Sequence, residues 1–283
     1  MEAMSGLGKL DRKRLSEILR GTKGVISVSE AANILKISLT DAAKMMARWT
    51  KKGWLSRIRR GFYVPIPLES CTSDVPLEDP WIIADRLYAP CYIGGWSAVE
   101  YWDLTEQIFR TIIVMTRQNP RNRSPIIKGT KFSLYTVSEK AMFGIKPVWK
   151  GQVKVSVSDP ARTIIDMLND PQLGGGIRST VDMFINYIKS KKQFDEKAGN
   201  NIELLIEYAK RLSNGAVFKR LGFLLERFVS NEQAAIKTCR TNLTKGYSKL
   251  DPSLDKDILI TRWKLWIPKS WNRKNIDREK EID

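Results

Sequence analysis

Twice within residues 27–41 the chain spells a helix start. Ser27-Val28-Ser29-Glu30 and Ser38-Leu39-Thr40-Asp41 each place an oxygen acceptor at a cap position and a carboxylate three residues on. Starts this close leave room for one short helix between them, about Val28–Leu35, whose Ala31, Ala32, Ile34 and Leu35 can pack. After a break at Lys36-Ile37 the second helix runs to about Lys52 and stops at Gly53. Its expected buried side is Leu39, Ala42, Ala43, Met46 and Ala47. Thr40, Asp41, Lys44, Arg48, Lys51 and Lys52 fall on the opposite side or near its end. Two short capped helices with a tight link and small alanines at the crossing describe a helix-turn-helix; the alternative is a plain helical hairpin.

The next residues favour the first description. Trp54-Leu55-Ser56-Arg57-Ile58 alternates with the period of a strand, and Arg59-Arg60-Gly61 makes a turn in which Gly61 can take a positive φ. Phe62-Tyr63-Val64 returns until Pro65 and Pro67 end the pairing. A hairpin tipped with three arginines, directly after such a helix, is a wing that reaches phosphates or a narrow minor groove. Trp54, Phe62 and Tyr63 are expected to pack the wing onto the helices rather than stack on bases. Upstream, Leu10, Leu15, Ile18 and Leu19 give a first helix an apolar stripe, while Lys9, Arg12, Lys13 and Arg14 crowd its start against the helix dipole. That crowding suits a neighbouring phosphate backbone; the alternative is a solvated face.

Charge supports the same reading. Residues 1–67 hold 14 Lys+Arg against 5 Asp+Glu, so 9 of the 17 net positive charges sit in under a quarter of the chain. A basic stretch beside a helix able to enter a groove is an electrostatic footprint for duplex DNA. Ser38, Thr40, Lys44, Arg48 and Lys51 are the expected groove and phosphate contacts, and Arg57, Arg59 and Arg60 those of the wing.

At 283 residues about two domains are expected. The acid-bearing, Pro-rich segment Pro65 to Pro80 marks the boundary, giving residues 1–71 as the DNA-binding domain and 72–283 as a larger domain. No apolar run approaches the ~18 residues of a membrane span, and no apolar leader opens the chain, so a cytoplasmic location and no membrane partner are expected. Cys71, Cys91 and Cys239 are widely spaced, which argues for free thiols. The absence of histidine excludes Ser–His–Asp and Cys–His catalysis, an imidazole base and His-ligated zinc.

In the larger region Asp79-Pro80 caps a helix Trp81–Tyr88; Tyr92-Ile93 is a strand, and Gly94-Gly95 turns into a helix Ser97–Trp102. Phe109–Thr116, Lys131–Val137 and Val153–Val157 read as strands. Ser158-Asp159-Pro160 caps a helix Ala161–Leu168, and helical periods follow Gly174-Gly175-Gly176 through about Lys237. Ile258–Ile267 reads as a final strand that rejoins the sheet. The fold class is therefore α+β: an N-terminal winged helix-turn-helix, then a domain with a small sheet and a helical bundle.

Motifs for chemistry are thin. Gly94-Gly95-Trp96-Ser97 lacks the acidic pair that a nucleotidyltransferase places after it, and Gly174-Gly175-Gly176 lacks the Gly-Lys-Ser/Thr ending of a phosphate loop. No carboxylate pair has a spacing that requires metal, so no cofactor and no metal are expected; a nuclease or transferase built on Asp159 or Glu139, and a protein-recruiting adaptor, stay as alternatives. Gly222 inside a helical pattern suggests close helix packing, and Lys219 and Arg220 beside it are candidate exposed contacts for DNA or a partner, or else a solvated face.

Four segments in order resemble AbiEi-type antitoxins of type IV toxin–antitoxin systems: Arg59–Pro65, Tyr92–Ala98, Ser158–Asp166 and Lys219–Glu226. The pattern departs at Tyr101-Trp102-Asp103. The resemblance implies a winged helix-turn-helix that represses its own operon at promoter inverted repeats. It also implies a C-terminal domain acting against a co-encoded nucleotidyltransferase-like toxin, directly or indirectly.

Overall fold

The computed structural model describes residues 6, 8–22, 24–66, 79–190 and 201–272. The expected boundary near residue 72 and Cys71 lie outside them. Elements in chain order are α1 (Lys9–Gly21), β1 (Ile26–Ser27), α2 (Val28–Leu35), α3 (Leu39–Lys51), β2 (Leu55–Arg59), β3 (Phe62–Pro65), α4 (Pro80–Tyr88), β4 (Cys91–Ile93) and α5 (Gly95–Tyr101). Then come β5 (Thr111–Thr116), β6 (Ile126–Ile127), β7 (Thr130–Thr136), β8 (Ile145–Lys150), β9 (Val153–Ser158), α6 (Pro160–Asn169) and α7 (Ile177–Lys189). The chain continues with α8 (Asn201–Leu212), α9 (Gly215–Phe228), α10 (Gln233–Thr241), β10 (Ser248–Lys249), β11 (Ile258–Ile260) and β12 (Leu265–Ile267). A mixed α+β fold results. Its sheets are ordered β1-β3-β2, β6-β7-β5-β4-β9-β8 and β10-β12-β11. Of these elements, β1, β6, β8 and β10 have no counterpart among the strands expected from the sequence.

The chain divides into two compact units. The first comprises Met1–Cys91, Arg110–Thr136 and Pro147–Ser156, and the second Tyr92–Phe109, Val137–Lys146 and Val157–Asp283. In the first, both capping signals act as the sequence implies. Ser27 Oγ accepts from Glu30 N at 3.1 Å while Ser27 N donates to Glu30 Oε2 at 3.0 Å. Ser38 Oγ accepts from Asp41 N at 3.0 Å. Between them Lys36 ends α2 in the left-handed region, φ 52°. Ile18, Ile26, Ala31, Met45, Met46, Trp49, Leu55 and Tyr63 form the core of the module.

The buried side of α3 is Ala42, Met45, Met46 and Trp49, not the expected set; Leu39 and Ala47 are exposed. Positions 42, 45, 46 and 49 follow the i, i+3, i+4, i+7 rule and bring the bulky Trp49 inside, so the helix is rotated about its axis relative to the expectation. In α1 only Leu15 and Ile18 are buried, while Leu10 and Leu19 stand exposed. β5 pairs in parallel with β7 from Thr111↔Lys131 to Thr116↔Thr136, and β6 lies antiparallel on the other side of β7.

In the second unit α6 is buried from Pro160 to Leu168, its polar Arg162, Thr163 and Asp166 included. Its charged pair is buried because Arg162 and Asp166 neutralise each other. Asp159 caps it, accepting from Arg162 N at 2.7 Å. Gly175 and Gly176 turn into α7 with φ of 80° and 103°, conformations that favour glycine. The segment expected as one last strand is broken. A 3-10 turn, Thr261–Trp263, separates β11 from β12, and these pair antiparallel in a separate small sheet with β10. The turn buries Trp263 completely, which a straight strand with Trp263 and Trp266 on opposite faces would not do.

Candidate nucleic-acid interface

The wing is built as a tight turn with a corrected register. β2 and β3 pair antiparallel, with a bulge between Arg57 and Arg59. The extra residue, Ile58, twists the strand and re-aims the side chains that follow it. Gly61 closes the turn with φ 83°, and its carbonyl accepts from Val28 N at 2.9 Å, which fastens the wing to the start of α2. Tyr63 is buried in the module core and Trp54 packs partly against it. These aromatics therefore brace the hairpin, as expected.

Thr40, Lys44, Arg48, Lys51, Arg57, Arg59 and Arg60 are all exposed. Lys44, Lys51, Arg57, Arg59 and Arg60 make no ion pair among the described residues. Arg48 is engaged: its Nη2 donates to both carboxylate oxygens of Asp11 on α1, at 3.0 and 3.3 Å. Ser38 is committed to its cap, since its hydroxyl also donates to Asp41 Oδ2 at 2.7 Å. Helix and hairpin thus carry cations on mobile stems over a rigid base, the arrangement that neutralises phosphates without fixing sequence.

A second basic block escaped the sequence reading. Residues 107–158 hold 10 Lys+Arg and 1 Asp+Glu; outside this block and residues 1–67, the chain holds 24 Lys+Arg and 25 Asp+Glu. The whole net charge therefore lies in two blocks, and a sliding charge window finds the second as readily as the first. Arg121, Arg123 and Lys128, between β5 and β7, and Lys131 in β7 are exposed. The end of α4 lies beside both blocks. Arg59 acts on Tyr88, whose hydroxyl burial pushes up and Arg59 pulls back down. Thr116 Oγ donates to Tyr88 O at 2.6 Å, and Gln118 Nε2 to Ala89 O at 2.8 Å, which anchors the start of the arginine-bearing loop.

Lys219 and Arg220 are not at a surface. They are only 2% and 4% exposed, so they present no face to a partner. Arg220 donates to the carbonyls of Leu168 and Asn169 at the end of α6, and to those of Lys249 and Leu250. The last carbonyls of a helix lack internal partners, and a guanidinium fork supplies them. Lys219 Nζ donates to Gly246 O and, at 3.4 Å, to Ser248 Oγ; burial lowers its pKa. The neighbouring apolar residues on every side of α9 were the signal that these cations are internal.

The carboxylates weighed for chemistry have structural partners. Asp159 Oδ2 accepts from Tyr208 OH at 2.7 Å besides its cap bond. Asp166 pairs with Arg162 at 2.9 Å and accepts from Tyr92 OH at 2.9 Å. Burial raises Asp166 above the usual carboxylate range, against the pull of Arg162. Among the described residues no three Cys, Asp or Glu side chains gather as a ligand set, and no helix is long and apolar enough to cross a membrane. Cys91 and Cys239 are free and buried, with burial pushing each thiol up to about 12.

Residues 13–66 match the family model described as a transcriptional regulator, AbiEi antitoxin. That stretch is therefore similar to AbiEi regulators. The match runs from within α1 to the end of β3 and takes in α3 and the hairpin. No curated protein matches the chain.

Proposed function

We propose that this chain is a DNA-binding antitoxin. It binds double-stranded DNA at promoter inverted repeats, represses its own operon, and counters a co-encoded nucleotidyltransferase-like toxin, directly or indirectly. In this reading residues 1–71 are the DNA-binding domain and residues 72–283 carry antitoxin activity.

One observation carries the reading. In a module similar to AbiEi regulators, exposed Lys44 and Lys51 on α3 and Arg57, Arg59 and Arg60 on the wing stand without acidic partners among the described residues. Lys44 and Lys51 on α3 suit groove and phosphate contact, with Thr40 beside them; Arg57, Arg59 and Arg60 suit a phosphate ridge or a narrow minor groove. Arg48 reaches DNA by giving up Asp11. The exposed Arg121, Arg123, Lys128 and Lys131 add further positive charge to the same unit.

The experiment is a binding titration of the full chain against its own promoter duplex and against a scrambled duplex of equal length, with a promoter–reporter fusion beside it. Tighter binding to the promoter and repression of the reporter support the reading; equal, weak binding to both refutes it. Co-expression with the neighbouring toxin gene tests antitoxin activity, and growth arrest that the chain fails to relieve removes that half.

A further inference from the structure

The exposed side of α3 is divided lengthwise. Leu39, Ala43 and Ala47 follow one another at four-residue intervals, forming one apolar ridge. Lys44, Arg48 and Lys51 lie on the adjoining flank. Leu39 is 61% exposed although the helix has a complete core of Ala42, Met45, Met46 and Trp49. The Ser38 cap holds the backbone at this end in place, so Leu39 projects from a rigid position. The ends of recognition helices that bear such caps are the parts that approach base edges.

What this ridge can read follows from its chemistry. The outward face holds exposed Leu39, Thr40, Asp41, Lys44, Ala47, Arg48 and Lys51 with half-buried Ala43, and no Asn or Gln to pair bidentately with adenine. The apolar feature of a major groove is the thymine C5-methyl group, and alanines beside it let the helix backbone come close. We propose that the Leu39–Ala43–Ala47 ridge contacts thymine methyl groups in a duplex half-site, so that thymines fix the register while the cationic flank supplies affinity. This rests on the DNA-binding reading above.

The test removes the methyl group and nothing else. Duplexes enriched from a random library by the full chain are resynthesised with each thymidine replaced singly by deoxyuridine, and Kd is measured by fluorescence anisotropy. At least one position weakens about fourfold, the value of one buried methyl. Leu39→Ala, at an exposed position that leaves the core intact, abolishes the sensitivity at one such position and leaves the salt dependence of binding unchanged. An enriched duplex indifferent to deoxyuridine at every position overturns the inference while leaving DNA binding standing. So does a folded Leu39→Ala protein that keeps every sensitivity. A library from which no sequence is enriched overturns both.

Discussion

Replacing Gly222 by alanine is expected to destabilise the carboxy-terminal unit, against the ordinary preference of helices. In an exposed helix the change gains about 1 kcal/mol. In α9 the new Cβ would stand 2.8 Å from Trp263 Cε3, and closer still to Cζ3 and Cη2. The indole cannot withdraw easily. It is fully buried, its Nε1 donates to Glu226 Oε2 at 2.7 Å, and the Arg240 guanidinium lies 5.4 Å from its ring centroid. Forcing atoms into a packed site costs about 1–3 kcal/mol, and a pinned ring belongs at the upper end. The net loss is about 2 kcal/mol, or a fall in Tm of about 4–8 °C for a domain of this size. Thermal unfolding followed by near-ultraviolet circular dichroism measures it. Because the two residues touch, Gly222→Ala with Trp263→Leu should lose less than the sum of the single changes. A single variant melting at or above the parent temperature would refute the packing argument.

Arg220→Met leaves the carbonyls of Leu168, Asn169, Lys249 and Leu250 without their donor. A loss on the order of 4 kcal/mol is expected in chemical denaturation, since buried acceptors pay for lost partners; a midpoint unchanged from wild type would contradict it. Asp251 supplies a pH test. Burial acts to raise its carboxyl, but bonds from Ser253, Ile177 N and Gln172 outweigh this and hold it below the usual 3.8. A depressed carboxylate stabilises the fold above its unfolded value and loses that contribution as pH falls through its folded one. Asp251→Asn should therefore flatten the decline of Tm below about pH 4, and parallel Tm profiles for the two proteins would refute the role.

How much of this was legible in the residues follows from what each signal depends on. Local backbone chemistry read out well. The Ser27 and Ser38 caps, the Asp79-Pro80 and Asp159-Pro160 starts and the Gly61 turn all satisfy groups within a few residues of themselves. Decisions made by distant partners did not. Trp49 displaced Ala47 from the buried face of α3 because the core had room for an indole. The final strand broke at Thr261 because Trp263 packs on Gly222, 41 positions earlier in the chain. Arg220 looked like a surface cation because the carbonyls it serves, at the end of α6 and in β10, are adjacent only in the fold. The second basic block was legible in composition alone and was masked by averaging over the larger region.

The central claim is that exposed guanidinium and ammonium groups of α3 and the wing displace cations from a DNA duplex. Its most direct measurement is the salt dependence of binding of the full chain to its own promoter duplex, compared with Arg59→Ala/Arg60→Ala. Each phosphate contact contributes about 0.9 to the slope of log K against log salt, so removing two should flatten it by about 1.8 while the fold is retained. A folded double variant with an unchanged slope would contradict the account.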